Sequence, residues 1–179
     1  MLYLEYSRRR FLKQAMLASA AAAAPSILSA RAPEKVKLAC VGIGNRGAED
    51  VIAFHKTGLA NFVALCDVDM GAPQTQEVLK LLPDVPRFQD FREMFDKMGN
   101  QIEAVSVGIP DFAHFPVTMM ALHLGKHVYC EKPMGRTFNE VELMIKAAKK
   151  YPKLATQMGN QGHSDANYFQ FKAWKDANL

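Results

Sequence analysis

An α/β fold built on a doubly wound parallel sheet is what this sequence predicts, and three features predict it. Short apolar strand patterns alternate with helical patterns from Val36 to the end of the chain. The strand patterns are near-continuous apolar runs, the mark of a sheet covered by helices on both faces. The first of them runs straight into Gly42-Ile43-Gly44-Asn45-Arg46-Gly47, a complete G-x-G-x-x-G, with a helical pattern immediately after it.

The elements follow in order. The first strand is Val36–Val41 and the first helix spans about 46–57. A second strand, Phe62–Cys66, leads to a helix over 73–82 that Pro83 closes. A short third strand fits Arg87–Phe88. Asp90-Phe91-Arg92-Glu93 reads as a capping box that opens a helix to Met98, with Gly99 as its stop. The fourth strand is Ala104–Val107, and a helix over 115–124 ends at Gly125. The fifth strand is His127–Cys130. Thr137-Phe138-Asn139-Glu140 is a second capping box, opening a helix to about Lys150. A sixth strand is placed at Leu154–Gln157 and a last helix at about 166–177. The right-handed crossover rule and the glycine loop give the strand order 3-2-1-4-5-6.

The glycine motif carries the first functional reading. In the context of strand before and helix after, with an acidic residue about 20 positions on, it is a dinucleotide-binding fingerprint, and Asp67 at the end of the second strand is that residue. Gly42 allows the tight turn, Gly44 lets a pyrophosphate approach the backbone, and Gly47 lets the helix pack closely on the sheet. The free N–H groups at the helix start, Asn45 to Gly47, and the positive end of its dipole hold the phosphates. This is the Rossmann arrangement. A carboxylate at Asp67 accepts from a ribose 2′-hydroxyl and repels a 2′-phosphate, so NAD is expected rather than NADP; Arg46 is the nearest cation able to offset that repulsion.

Composition bounds the rest. The chain has 179 residues, a length suited to one domain, and 49% of them are hydrophobic, enough for a core. Of its 22 basic and 18 acidic residues, five basic (Arg8, Arg9, Arg10, Lys13, Arg31) and one acidic (Glu5) fall within 1–32, and the remainder is balanced. The formal charge of +4 therefore describes the first 32 residues and gives no support for a nucleic-acid surface. Ser7-Arg8-Arg9-Arg10-Phe11-Leu12-Lys13 matches a twin-arginine export signal; an alanine-rich stretch and Ala30-Arg31-Ala32 follow it as apolar region and cleavage site. Residues 1–32 are thus expected to be a signal peptide, routing a folded protein to the periplasm or otherwise outside the cytoplasm, with no membrane attachment after cleavage. Cys40, Cys66 and Cys130 sit in or at the ends of strands at spacings that match no zinc motif, and read as buried thiols; no metal site is expected.

Ligands of such sheets bind beyond the carboxyl ends of the strands. Three further segments fall there. Gly108-Ile109-Pro110-Asp111-Phe112-Ala113-His114 follows the fourth strand, Glu131-Lys132-Pro133 the fifth, and Gly159-Asn160-Gln161-Gly162-His163-Ser164 the sixth. The ammonium of Lys132 is suited to holding a substrate hydroxyl or neutralising a developing alkoxide near a nicotinamide; a solvated loop lysine is the plainer alternative. His114 stands where a helix begins, so packing or capping competes with a site role. For His163, ligand contact and loop polarity stand level. His55, His123 and His127 read as structural or surface residues.

With these residues laid out, the sequence from Val36 onward resembles the glucose–fructose oxidoreductase, inositol dehydrogenase and rhizopine-catabolism family, Gfo/Idh/MocA, in its exported branch. The resemblance rests on VKLACVGIGNRG, on CDVD at Cys66–Asp69, on IPDFAH at Ile109–His114, on GKHVYCEKP at Gly125–Pro133 and on GNQGHS at Gly159–Ser164. It implies an NAD(P)-dependent oxidoreductase acting on a sugar or polyol, with Lys132 catalytic and in contact with both nicotinamide and substrate. It also implies cofactor contacts from Gly42, Gly44, Asn45, Arg46, Gly47, Asp67, Ile109, Pro110, His114, Glu131 and Lys132, and a substrate or cofactor loop at Asn160 and His163. Ile109 stands where the family usually has threonine, and Phe112 where it often has histidine. Family members continue into a second α/β domain that supplies most of the sugar pocket. On this reading residues 33–164 form the dinucleotide-binding domain and residues 165–179 begin the crossing toward a domain that this sequence lacks, so the 179 residues alone are expected to bind a dinucleotide without useful turnover. Exposed aromatics on the last helix (Phe169, Phe171, Trp174) then favour self-association. An NAD-dependent glycoside hydrolase of the same fold, and a non-catalytic dinucleotide-binding module, are the competing functions.

Overall fold

The structure is a computed structural model, and it describes residues 34–179; the twin-arginine leader expected over 1–32 lies outside the described residues. Six parallel strands form one sheet: β1 (Val36–Val41), β2 (Ala60–Cys66), β3 (Arg87–Phe88), β4 (Ala104–Val107), β5 (His127–Glu131) and β6 (Thr156–Gly159). Their order is β3-β2-β1-β4-β5-β6, the expected doubly wound arrangement. The helices are α1 (Arg46–Thr57), α2 (Gln76–Leu81), α3 (Phe91–Met98), α4 (His114–His123), α5 (Phe138–Lys150) and α6 (Ala166–Asp176).

The alternation of β1 separates two cores. Ala39 and Val41 face one side with Val105, Val107, Met94, Phe95 and Leu122, under α3, α4 and α5. Leu38 and Cys40 face the other, with Ile43, Val51, Leu65 and Val78, under α1 and α2. β1 is therefore apolar on both faces, which is why its run is continuous rather than alternating. All three cysteines are buried free thiols, as expected.

Helix ends follow local chemistry. Gly58 caps α1 in the left-handed region at φ 69°, and its N–H donates to His55 O. Thr137 and Glu140 form the full reciprocal box at the start of α5. The Asp90 box is only half realised. Its carboxylate accepts from the Arg92 N–H at 2.8 Å and also binds the Arg92 guanidinium, while Glu93 turns along the helix to pair with Lys97.

Several boundaries depart from the sequence reading: β2 begins at Ala60 rather than Phe62, and Glu131 and Gly159 close β5 and β6 rather than follow them. The sixth strand begins at Thr156, not Leu154. Leu154 sits in a turn, its N–H donating to Tyr151 O, and its side chain packs on the core; pairing starts only where Thr156 faces Val128. The helix over 73–82 is in fact a 3₁₀ turn, Pro73–Thr75, followed by the short α2. The last helix, α6, has no buried residue, and Phe169, Phe171 and Trp174 are all exposed.

Candidate functional site

The carboxyl ends of β1, β2 and β4 open into a cleft of about 530 Å³. Its walls include Gly42, Gly44, Asn45 and Arg46 from the glycine loop, Asp67 from the end of β2, and Gly108, Ile109 and Pro110 after β4. The crevice lies where the chain passes from one half of the sheet to the other, the place where such sheets bind ligands.

The glycine loop has the expected geometry. Gly42 turns out of β1 at φ 84°, a conformation that glycine adopts without penalty. A Cβ on Gly47 would collide with the carbonyl of Gly42 and lie 2.9 Å from Gly108 O, so this glycine sets how closely α1 seats on the sheet. The N–H groups of Gly44, Asn45 and Arg46 find no acceptor among the described residues, whereas that of Ile43 donates to Asp67 Oδ2 at 3.0 Å. Three adjacent free donors at a helix start form an anion-binding nest. The other oxygen of Asp67 accepts from the Asp69 N–H at 3.1 Å. Asp67 thus braces the glycine loop from the opposite wall. Each of its oxygens keeps a second lone pair for a ligand. A pyrophosphate over the nest and a ribose against Asp67 fit what these residues offer.

Other expected site residues lie elsewhere. His114 is a buried bridge and not a cleft residue: it is 1% exposed, with Nδ1 2.5 Å from Pro133 O and Nε2 2.7 Å from Ile109 O. It ties the loop after β4 to the loop after β5, so it bears on the cleft by holding Ile109. Lys132 is exposed, outside the walls of the cleft, at the cis Lys132–Pro133 bond. Asn160 is exposed, and its carbonyl accepts from the His163 N–H. His163 is exposed too, and its ring packs on Tyr168, 5.2 Å between centroids.

Glu131 and Arg46 meet where the sequence reading placed separate cofactor contacts. Glu131 is 3% exposed. It accepts from the Tyr129 hydroxyl at 3.1 Å and from Gln161 Nε2, and Arg46 Nε lies 3.5 Å from it. The same guanidinium reaches Asp50 Oδ1 at 3.2 Å and pairs with Glu49. Burial alone pulls the Arg46 pKa down, but attraction from Asp50, Glu131 and Glu49 outweighs it and leaves it raised. Gly159 admits this packing, because a Cβ there would collide with Glu131 Oε1.

Asp50, Tyr129 and Gln161 escape a reading of the sequence. A polar residue in the second turn of an amphipathic helix reads as surface, yet Asp50 is 5% exposed. The one available signal is its i,i+4 spacing from Arg46. Burial, then the charge of Glu131, push the Asp50 carboxyl up to about 7 against the opposing pull of Arg46. Burial and both carboxylates likewise raise Tyr129 to about 12, so its hydroxyl stays a donor at neutral pH. A carboxyl raised in the folded state favours folding fully below its ordinary value of 3.8, and that contribution is lost as pH rises through about 7. Stability should therefore fall between pH 5 and pH 8 by about 2 kcal/mol from this group, taking a discount for the partly solvated Arg46. Urea unfolding at the two pH values, with Asp50→Asn beside the parent, checks this; an equal pH slope in both proteins contradicts it.

Comparison with known proteins settles the family. The profile of the oxidoreductase family with an NAD-binding Rossmann fold, GFO_IDH_MocA, matches residues 36–159. The chain belongs to this family. Among curated relatives, it is 29% identical over 143 residues to the inositol 2-dehydrogenase of Salmonella typhimurium, covering 76% of this chain and 40% of that protein. It is 24% identical over 182 residues to a glycosyl hydrolase family 109 protein of Shewanella sp. strain ANA-3, covering 87% of this chain and 40% of that one. Among solved structures, the myo-inositol 2-dehydrogenase of Lactobacillus plantarum superposes with a TM-score of 0.70 at 27% identity, over 80% of this chain and 42% of that one. A scyllo-inositol dehydrogenase of Lactobacillus casei, with NAD(H) and scyllo-inositol bound, gives 0.68 at 26%, over 80% and 42%. The chain spans about 40% of the length of the curated relatives it matches. The Gfo/Idh/MocA assignment and the NAD-binding Rossmann domain expected from the sequence both hold.

Proposed function

We propose that these 179 residues bind NAD in the cleft between the glycine loop and Asp67, as the cofactor-holding part of an oxidoreductase that acts on a polyol or sugar. The observation that carries this is the pairing of three free N–H groups, Gly44 to Arg46, with a braced carboxylate across one crevice. The nest takes the pyrophosphate, Asp67 the adenosine ribose, and Ile109 and Pro110 flank the path toward the nicotinamide. When bound, NAD supplies the hydride acceptor. Lys132, just after β5, would hold a substrate hydroxyl, and the inositol dehydrogenases among the relatives favour a polyol.

NAD is favoured over NADP because Arg46 is committed. Among the described residues it is the one cation lining the cleft, and it already faces Glu49, Asp50 and Glu131. A 2′-phosphate next to Asp67 therefore meets repulsion without an offset. Even a third of the roughly 4 kcal/mol between two charges at about 4 Å is about tenfold in affinity. Titrating both nucleotides should show NAD binding at least tenfold tighter, and equal or tighter NADP binding refutes the assignment. The same 179 residues should form no NADH at a useful rate from inositols, hexoses or glycosides, because a positioned base is worth ~10²–10⁴-fold and no carboxylate pairs with Lys132 among the described residues. The glycosyl hydrolase relatives support a second reading, in which NAD oxidises the sugar transiently. Net NADH release with a ketone product separates the dehydrogenase from it.

A further inference from the structure

The acid cluster behind the glycine loop enters the reading above only as the partners of Arg46. Asp50 is 5% exposed, and its Oδ2 has no hydrogen-bond partner among the described residues. Its neighbour Glu131 is 3% exposed, and one guanidinium, that of Arg46, reaches both carboxyls, Asp50 at 3.2 Å and Glu131 at 3.5 Å. Two buried carboxylates on one guanidinium leave one negative charge unbalanced, and a proton on either removes it. That proton is also what the orphaned oxygen of Asp50 lacks.

The groups facing this pair are few. From α1 come Arg46, at 3.2 Å from Asp50 and 3.5 Å from Glu131, and Glu49. From β5 comes the Tyr129 hydroxyl, and from the loop after β6 the uncharged Gln161. From β1 comes the Cys40 thiol, raised by burial and by Asp50 and so neutral. With one proton on the pair, Arg46 balances the remaining carboxylate. Without it, the buried cluster carries one net negative charge directly behind the nest that holds the pyrophosphate.

We propose that Asp50 and Glu131 share one proton, and that dinucleotide binding at the glycine loop is coupled through Arg46 to uptake of that proton. The inference rests on the NAD-binding reading. The pyrophosphate brings negative charge to the loop that carries Arg46, which raises the cost of a second carboxylate behind it. With the Asp50 carboxyl already pushed up to about 7, the change falls in the neutral range. Asp50 and Glu131 are positioning residues here and act through Arg46.

The test is isothermal titration of NAD into the unmodified chain from pH 6 to pH 8.5, in pairs of buffers that differ in ionisation enthalpy. The expected result is uptake of roughly half a proton near neutral pH and a Kd that weakens about fivefold from pH 6 to pH 8.5. Asp50→Asn should flatten that dependence, whereas a merely structural Asp50 would change the unfolding temperature and leave the proton linkage of the parent at zero. NAD binding with no proton uptake overturns the inference and leaves the NAD reading standing. Absence of NAD binding at every pH overturns both. Because the uptake is measured on the parent protein, the result does not depend on the variant folding.

Discussion

Replacing Asp67 with alanine should weaken NAD binding about a hundredfold. The carboxylate makes two kinds of contact at once. It accepts from the Ile43 and Asp69 N–H groups, which fixes the glycine loop against β2, and it presents its free lone pairs to the cleft. Hydrogen bonds to a charged group are each worth about 1.5–3 kcal/mol, and two to the ribose hydroxyls give the hundredfold figure at the lower end. Asp67→Asn separates the two tasks. It keeps a carbonyl oxygen for the Ile43 N–H but loses the charge and one acceptor, so the fold should hold while affinity for NAD drops at least tenfold. Fluorescence titration with thermal unfolding of both variants measures this. Affinity unchanged in Asp67→Ala would remove Asp67 from the site.

Gly47→Ala should be among the most damaging single methyls in the domain. The added Cβ meets backbone, the carbonyls of Gly42 and Gly108, rather than a side chain that can rotate away. Relief requires α1 to lift from the sheet. Overpacking of this kind costs about 3 kcal/mol, which lowers the unfolding temperature by roughly 6–12 °C in a domain of this size. The lift also displaces the N–H groups of Gly44 to Arg46, so NAD affinity should fall at least tenfold even at temperatures where the variant is folded. A thermal midpoint within 2 °C of the parent, roughly the shift expected for 1 kcal/mol or less, would show that α1 is not seated as described.

What the sequence disclosed and what it hid follow from the range of the interactions. The glycine loop and Asp67 were legible because their signals are local: strand, glycines and helix are contiguous, and the acid falls at a fixed distance. The sheet order was legible because continuous apolar runs and the crossover rule leave few alternatives. The place of His114 was legible, but its use was not. Only the folded chain brings Ile109 O and Pro133 O to its two ring nitrogens. The network of Arg46, Asp50, Tyr129, Glu131 and Gln161 was invisible for the same reason. Its members come from α1, β5 and the loop after β6, and helical periodicity counts Asp50 as solvated. The sixth strand was placed two residues early because Leu154, an apolar residue in a turn, packs on the core as a strand residue would.

The central claim is that the crevice between the glycine loop and Asp67 is an NAD site. Calorimetric titration of NAD against the purified chain, with Asp67→Ala as the paired sample, tests it most directly. The account predicts saturable binding of one NAD per chain, weakened about a hundredfold by the substitution. No binding to the parent, or equal binding to both proteins, would contradict it.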